Sequence, residues 1–366
     1  MAALLCPGER LVRSLSGGDI DHVSFGTNLG YWPWGETMER WRRETGRSDL
    51  DLAREFDYEA GFAAPAVEYG VWPHFEERTL ESTAEHVVTR DWRGITMRNR
   101  HDRSSMPEFL DYPVKDANDW EQIKTERLRL EDADRRVTQD WAQWRARLAQ
   151  TGEAVQVGSY PWGVFGTLRD LMGVEALLIG FYTEPDLIRD MMDHLTTLWL
   201  ALYERVARHV PIDHVHIWED MSGRQGSLIS PAMVESFMMP CYDRIRAFAR
   251  AHGVRIVSVD TDGDCSELVP IMKQHGISMF FPFEVQAGND VEHYRRQYPD
   301  LGIMCGLDKR ALAGTRADID QEMARAERMV QQGRYVPGFD HLIPPDVPWD
   351  NMRYAVQQLR RVCRAA

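Results

Sequence analysis

The chain has 366 residues, of which 43% are hydrophobic, and a formal net charge of −14 at pH 7. An acidic chain with no basic stripe disfavours nucleic acid as a partner, because phosphates are bound through clustered lysine and arginine. No apolar run approaches the ~20 residues needed to cross a bilayer, and the opening MAALLCPGERLVRS lacks the basic segment and long apolar stretch of a secretion signal; a cytoplasmic protein with no membrane contact is expected.

Taken in chain order, HVSFGTN (residues 22–28) is the first strand candidate and the apolar run over residues 63–69 the second. Residues 86–148 then break the rhythm. HVVTRDWRGITMRNR reads as a β-hairpin turned at Arg93-Gly94, and the stretch after it is polar and helical. From residue 154 onward, short β-rich runs alternate with helix-length amphipathic stretches. The runs are AVQVGSY (154–160), HVHIWED (214–220), RIVSVDTDGD (255–264), ISMFFPFEV (277–285), LGIMCGLDK (301–309) and RYVPGFDHL (334–342). Between two of them, SPAMVESFMMPCYDRIRAFARAHG opens on Ser-Pro and closes on Gly253, the usual asymmetry of helix starts and stops.

Six βα units in succession imply parallel strands with right-handed crossovers, and the two upstream candidates bring the number to eight. The expected fold is α/β, a (β/α)8 TIM barrel in one domain over residues 1–366. Residues 86–148 are then an insertion over the barrel mouth, serving as a lid or as the contact of a homodimer. A doubly wound open sheet is the rival, but it usually needs a Gly-rich phosphate turn, and neither GxGxxG nor a Walker pattern occurs.

In such a barrel, chemistry belongs to polar residues at the C-terminal ends of the strands. Here those ends are acidic: Glu219 and Asp220, then Asp260, Asp262 and Asp264, then Glu284, Asp308 with Lys309, and Asp340 with His341. Asp260 and Asp262 stand two apart and share one face of their strand. Two such carboxylates repel, which raises one pKa unless a cation or metal neutralises them. With Glu219 and His341 they would make an oxygen-rich site for a divalent metal, zinc or another; the plain alternative is that single acids cap helices or pair with arginine. His214 and His216 share a face away from the rim, and His252 and His275 sit at helix ends, so all four read as structural. The loops GYWPWG and SYPWG offer Tyr31, Trp32, Tyr160 and Trp162 as walls of a pocket for a flat or apolar small-molecule substrate, with Glu284 beside them. The five cysteines are scattered, without metal or disulfide spacing; Cys265, at a helix start, lacks a base that would make it a nucleophile.

EDMSGRQGSLISP, VDTDGD, PFEVQAGNDV, CGLDKRAL and GRYVPGFDHLIPPDVPWDN together resemble the uroporphyrinogen decarboxylase superfamily, which includes the methylcobalamin:coenzyme M methyltransferases. The resemblance runs over nearly the whole chain and implies a (β/α)8 barrel. It also carries departures. The arginine-rich loop with which the decarboxylases hold substrate carboxylates is matched by GTNLGYWPWGE, with no arginine, and their substrate-holding aspartate by a stretch offering only Glu68. His341 matches their late histidine. The zinc-binding His-x-Cys of the methyltransferases falls on Asp260-Thr261-Asp262, and their later cysteine falls near residues 339–341.

Hard ligands in place of soft ones suit an oxygen-linked substrate better than a thiol. The resemblance therefore implies a corrinoid-linked methyltransferase or O-demethylase, with Glu219, Asp262 and His341 catalytic and Glu219, Asp260, Asp262 and His341 the metal set. Cobalamin would be carried by a partner corrinoid protein, since the chain has no DxHxxG motif of its own. The alternatives are a cofactor-free decarboxylase of a small aromatic or pyrrolic acid, with Arg90, Arg93 and Arg169 as its arginine candidates, and a non-catalytic small-molecule-binding barrel.

Overall fold

The computed structural model describes residues 4–101 and 107–365. Its strands are β1 (Phe62–Ala63), β2 (Arg78–Ser82), β3 (His86–Arg90), β4 (Thr96–Arg100), β5 (Glu108–Asp111), β6 (Ala154–Val157), β7 (His214–Trp218), β8 (Ser222–Gly223), β9 (Gly226–Ser227), β10 (Ile256–Thr261), β11 (Met279–Pro282), β12 (Gly302–Met304) and β13 (Tyr335–Val336). Seven of them pair in the order β1-β6-β7-β10-β11-β12-β13, every neighbour parallel, as a curled sheet with helices between successive strands. All six runs expected after residue 154 are strands of this sheet. They are short and buried because a parallel strand covered on both faces needs an almost continuous apolar run.

The two upstream expectations need correction. The second shrinks to β1, because Pro65 has no N–H to continue a ladder. The first forms no strand: Gly26 turns the chain at φ +76°. Residues 22–28 instead touch both edges of the sheet through isolated bonds rather than a ladder. The Phe25 carbonyl accepts from the Glu59 N–H at 3.1 Å, just before β1, and the Asn28 side chain donates to the Pro337 carbonyl at 3.0 Å, just after β13.

The hairpin turned at Arg93-Gly94 is β3 and β4, with Gly94 at φ +92°. It is the centre of a four-stranded antiparallel sheet whose outer strands, β2 and β5, the sequence pattern did not mark. Both outer strands are wholly exposed, so no hydrophobic alternation betrays them, and the sheet begins at Arg78 rather than at His86. Its tip rests on the segment after β6: Arg93 pairs with Asp170, and the rings of Trp92 and Trp162 meet edge-on at 6.0 Å.

Local chemistry explains several helices. The Ser230 side chain caps Pro231–Met233, and the same stretch continues through a π-turn into Met239–Ala251. Pro240 cannot donate to the Ser236 carbonyl, which accepts Arg189 Nη1 at 2.7 Å instead. Thr315 and Asp318 form a reciprocal capping box at the start of Arg316–Gln331. In Trp349–Arg364, Met352, Ala355, Val356, Leu359 and Cys363 fall on one face and are buried. Helix Pro7–Ser16 lies beside the start of β6, where Gly8 N–H donates to the Gly152 carbonyl at 2.7 Å; a Cβ on Gly8 would strike the Ala154 backbone. All five cysteines are free thiols. Among the described residues no helix is long and apolar enough to cross a membrane.

Candidate active site at the strand ends

Alternation along β7 and β10 sends Val215, Ile217, Val257 and Val259 to one side, and His214, His216, Ser258 and Asp260 to the other. The second set forms a polar line through the sheet interior. The Ser258 hydroxyl lies 2.7 Å from His214 Nε2 and 3.4 Å from His216 Nδ1, and His216 Nε2 lies 3.8 Å from Asp260 Oδ2. Burial keeps both imidazoles neutral, driving His216 down to about 4 and His214 well below its usual range. His252 and His275 are helix-end residues paired with Glu204 and Asp243.

Asp260 ends this line, recessed at the strand end with a side chain 17% exposed. Burial, followed by the negative charges of Asp262 and Asp220, raises its pKa well above the carboxylate range. Beside it, Asp262 Oδ2 faces His341 Nε2 at 3.5 Å. Burial disfavours the imidazolium, but the hydrogen bond and charge of Asp262 outweigh it, and His341 titrates higher than usual. Trp34 stacks on the His341 ring with centroids 6.0 Å apart.

A second cluster stands next to this pair. Lys309 Nζ lies 3.5 Å from both Glu284 Oε1 and Asp340 Oδ1. Asp340 is fully buried and accepts the backbone N–H groups of Val285 and Lys309, tying the ends of β11, β12 and β13 together. Glu284 accepts the Gly263 N–H at 3.1 Å. On the other flank Asp220, raised by burial against the pull of Arg169, pairs with Arg169, whose guanidinium also covers the Trp218 ring. Non-glycine residues take left-handed backbone within two residues of three strand ends: Asp220 (φ 41°) after β7, Phe283 (φ 58°) after β11 and Cys305 (φ 69°) after β12. Such conformations cost roughly 1 kcal/mol or more each and gather at functional sites.

The structure therefore brings Asp260, Asp262, His341 and Glu284 to one rim. It uses two other expected residues differently. Glu219 is fully buried, and its carboxylate accepts four hydrogen bonds: the backbone N–H groups of Val164, Phe165 and Gly166, and the Tyr242 hydroxyl at 2.6 Å. The Phe165 and Gly166 N–H groups are orphan donors at the start of helix Gly166–Met172, where an anion is welcome, and the Val164 N–H lies in the turn just before it. Burial still pushes Glu219 up to about 7. Tyr31, expected to wall the pocket, is buried between Phe25 and Tyr58, since the chain turns inward after Gly26. Trp32 and Tyr160 are exposed near the rim, the latter edge-on to Trp218, and Trp162 is half-buried under Trp92. Cys265 is buried against Asn289, and burial pushes its thiol up to about 12, away from the thiolate a nucleophile needs.

Among the described residues no three His, Cys, Asp or Glu side chains converge as a metal would require. With Glu219 occupied by four donors, the four side chains read from sequence as ligands do not fit a metal in this arrangement. Lys309 and Tyr242 were absent from the expected site. Lys309 was legible as a cation at an otherwise acidic strand end; Tyr242, on a helix, carried no signal. Arg169 was among the candidate arginines, and the structure puts it on the rim beside Asp220.

A curled parallel sheet with its ionisable residues gathered at the carboxyl ends of the strands defines a barrel-type α/β protein with a rim site. The family model for uroporphyrinogen decarboxylase (URO-D) matches residues 93–362, so the chain belongs to that family. Among solved structures, a methyltransferase from Methanosarcina mazei shares the fold with a TM-score of 0.57 and 14% identity, over 98% of this chain and 99% of that one. No curated protein matches the sequence.

Proposed function

We propose that this URO-D family member is a corrinoid-linked methyltransferase or demethylase that removes a methyl group from an oxygen atom of a small molecule. The observation that carries this reading is Asp260, a recessed carboxyl whose surroundings favour its protonated form at the end of β10. When a methyl–oxygen bond breaks, the departing oxygen takes the electron pair and needs a proton; a neutral carboxyl with a raised pKa is matched to that task. The methyl group passes to the incoming nucleophile, and the Asp260 proton moves to the departing oxygen. His341, raised by the hydrogen bond and charge of Asp262, would add positive charge next to that oxygen when protonated, and Asp260 would regain its proton from solvent. A corrinoid held by a partner protein would supply the nucleophile. The exposed rings of Trp32, Trp34 and Tyr160 near the rim support the approach of a flat group.

The same reading takes residues 22–28 as the eighth stave of a closed barrel, in one domain that carries the β2–β5 sheet as an insertion over the mouth. The exposed Leu80, Phe109 and Leu110 on that sheet support contact with a second copy of the chain. A cofactor-free decarboxylase of a small aromatic or pyrrolic acid is the second reading, favoured by the cations Lys309 and Arg169 at the rim.

The test offers purified enzyme a series of methyl ethers with a reduced corrinoid acceptor and follows the acceptor's absorbance. Wild type should transfer methyl groups, and D260N should do so ~100-fold or more slowly. Carbon dioxide released from aromatic acids, with no methyl transfer, would establish the second reading instead.

A further inference from the structure

Three consecutive residues at the end of β7 each hold the segment that follows β6. The Trp218 N–H donates to the Trp162 carbonyl at 2.9 Å, and the Trp218 ring meets Tyr160 edge-on with centroids 4.8 Å apart. Glu219 accepts the N–H groups of Val164, Phe165 and Gly166 at 3.0, 2.6 and 2.9 Å. Asp220 pairs with Arg169, on the helix that starts at Gly166. The two backbones run in contact, since a Cβ on Gly163 would strike the Trp218 carbonyl. The same strand end also holds the acid of the rim: the Glu219 and Asp220 N–H groups donate to the Asp260 carbonyl at 2.8 and 3.3 Å. Glu219 is therefore bonded through its side chain to the segment that carries Tyr160, and through its backbone to Asp260. A helix start needs only one short polar side chain as a cap, and burying a carboxylate is costly, so four donors on one fully buried glutamate exceed what capping requires. Tyr160 is 65% exposed; with little packing of its own, its place is set by the segment it stands on.

We infer that Glu219 is a positioning residue: by gripping the segment after β6 it fixes the Tyr160 ring relative to Asp260, and so holds an aromatic methyl ether with its oxygen at the Asp260 carboxyl. Tyr242 steadies the grip. Its hydroxyl donates to Glu219 Oε1 at 2.6 Å, the oxygen that also accepts Val164, while Oε2 takes Phe165 and Gly166. Stacking and edge contacts between rings depend on their placement, and a shift of about an ångström far from the reacting atoms is felt in the reaction. A side chain that never touches the substrate can thus govern how it is held. The inference rests on the reading of Asp260 as the proton donor and Tyr160 as a wall of the site, and it narrows the substrate class to ethers of a flat aromatic group.

The test uses the full chain and two probes, anisole and 3-methoxyphenol. Dissociation constants come from titration calorimetry without a methyl acceptor, so nothing turns over. Wild type should bind at least one probe, and Y160L should bind it ~10-fold more weakly. E219A, which removes the acceptor for all four donors, should weaken binding by a similar factor. E219Q keeps one acceptor oxygen and should recover part of that loss, remaining ~3-fold weaker than wild type, and Y242F, which removes one donor, should act in the same direction. If E219A does not fold, E219Q and Y242F carry the test. In the Y160L background E219Q should weaken the probe no further, because the ring it places is gone; a glutamate serving the fold alone would act with or without that ring. No binding of either probe by wild type, unchanged affinity in both E219Q and Y242F, or a loss from E219Q that persists undiminished in Y160L overturns the inference. Because binding is read without turnover, the expected coupling with no methyl transfer would overturn the methyl-transfer reading alone.

Discussion

The two ends of the parallel sheet handle charge in opposite ways. At the N-terminal end, buried Arg10 lies between Asp21 at 2.8 Å and Glu59 at 3.2 Å, and Arg255 bridges Glu9 and Asp213. The Arg10 hydrogen bond holds the Asp21 carboxyl far below the usual carboxylate range, and Arg255 draws Glu9 down. At the C-terminal end, burial raises Asp260, Asp220 and Asp340 instead, and neighbouring acids raise Asp260 and Asp220 further. A lowered carboxylate stabilises the fold; a raised one costs stability at neutral pH. The lower end uses its charges to hold the molecule together. The upper end keeps an arrangement that folding alone would not favour, which is the expected signature of a working site.

Three measurements can break or sharpen this contrast. The largest expected effect is at the lower end. R10Q leaves two acids in a buried setting without their cation and should lower unfolding stability by about 3–5 kcal/mol, measured by urea denaturation at pH 7. Because the Asp21 contribution is present above the ordinary carboxylate pKa of about 3.9 and lost as pH falls through its lowered value, the deficit should shrink toward strong acid. At the upper end the sign reverses. D260N should raise stability at pH 8, by less than the R10Q loss, because the amide carries no charge to be held away from water. That gain should fade on acidification, as the wild-type carboxyl takes up its proton at a pH above the usual carboxylate range. A D260N variant less stable than wild type at pH 8 would remove the contrast. The smallest effect concerns Tyr31, whose buried hydroxyl has no partner. Y31F should raise stability by about 1 kcal/mol, the low end for removing a buried hydroxyl without a partner, and leave the binding of the methyl ethers unchanged; weakened binding would return Tyr31 to the pocket wall.

Much of the fold was legible because its signals are local. The six runs after residue 154 carry enough β-branched and aromatic side chains to be read as strands, and the Ser-Pro and Gly boundaries mark the helix between β7 and β10. Strand alternation put Asp260 and Asp262 on one face, and their positions at the end of β10 put them on the rim. β2 and β5 escaped because an exposed strand needs no apolar pattern, and residues 22–28 misled because an apolar run with Gly26 at its centre fills a place in the sheet without forming a ladder.

By itself, then, the sequence determined the order of parallel strands and which acids stand at their carboxyl ends, since both follow from the period-two geometry of neighbouring residues. Only the tertiary structure decided what each acid does there. Glu219 is spent on donors 53 to 55 residues earlier in the chain, Asp340 on the ends of two other strands, and Asp262 on His341. A carboxylate's role is set by the donors and charges within a few ångströms of it, and in a barrel those arrive from strands that are distant in sequence.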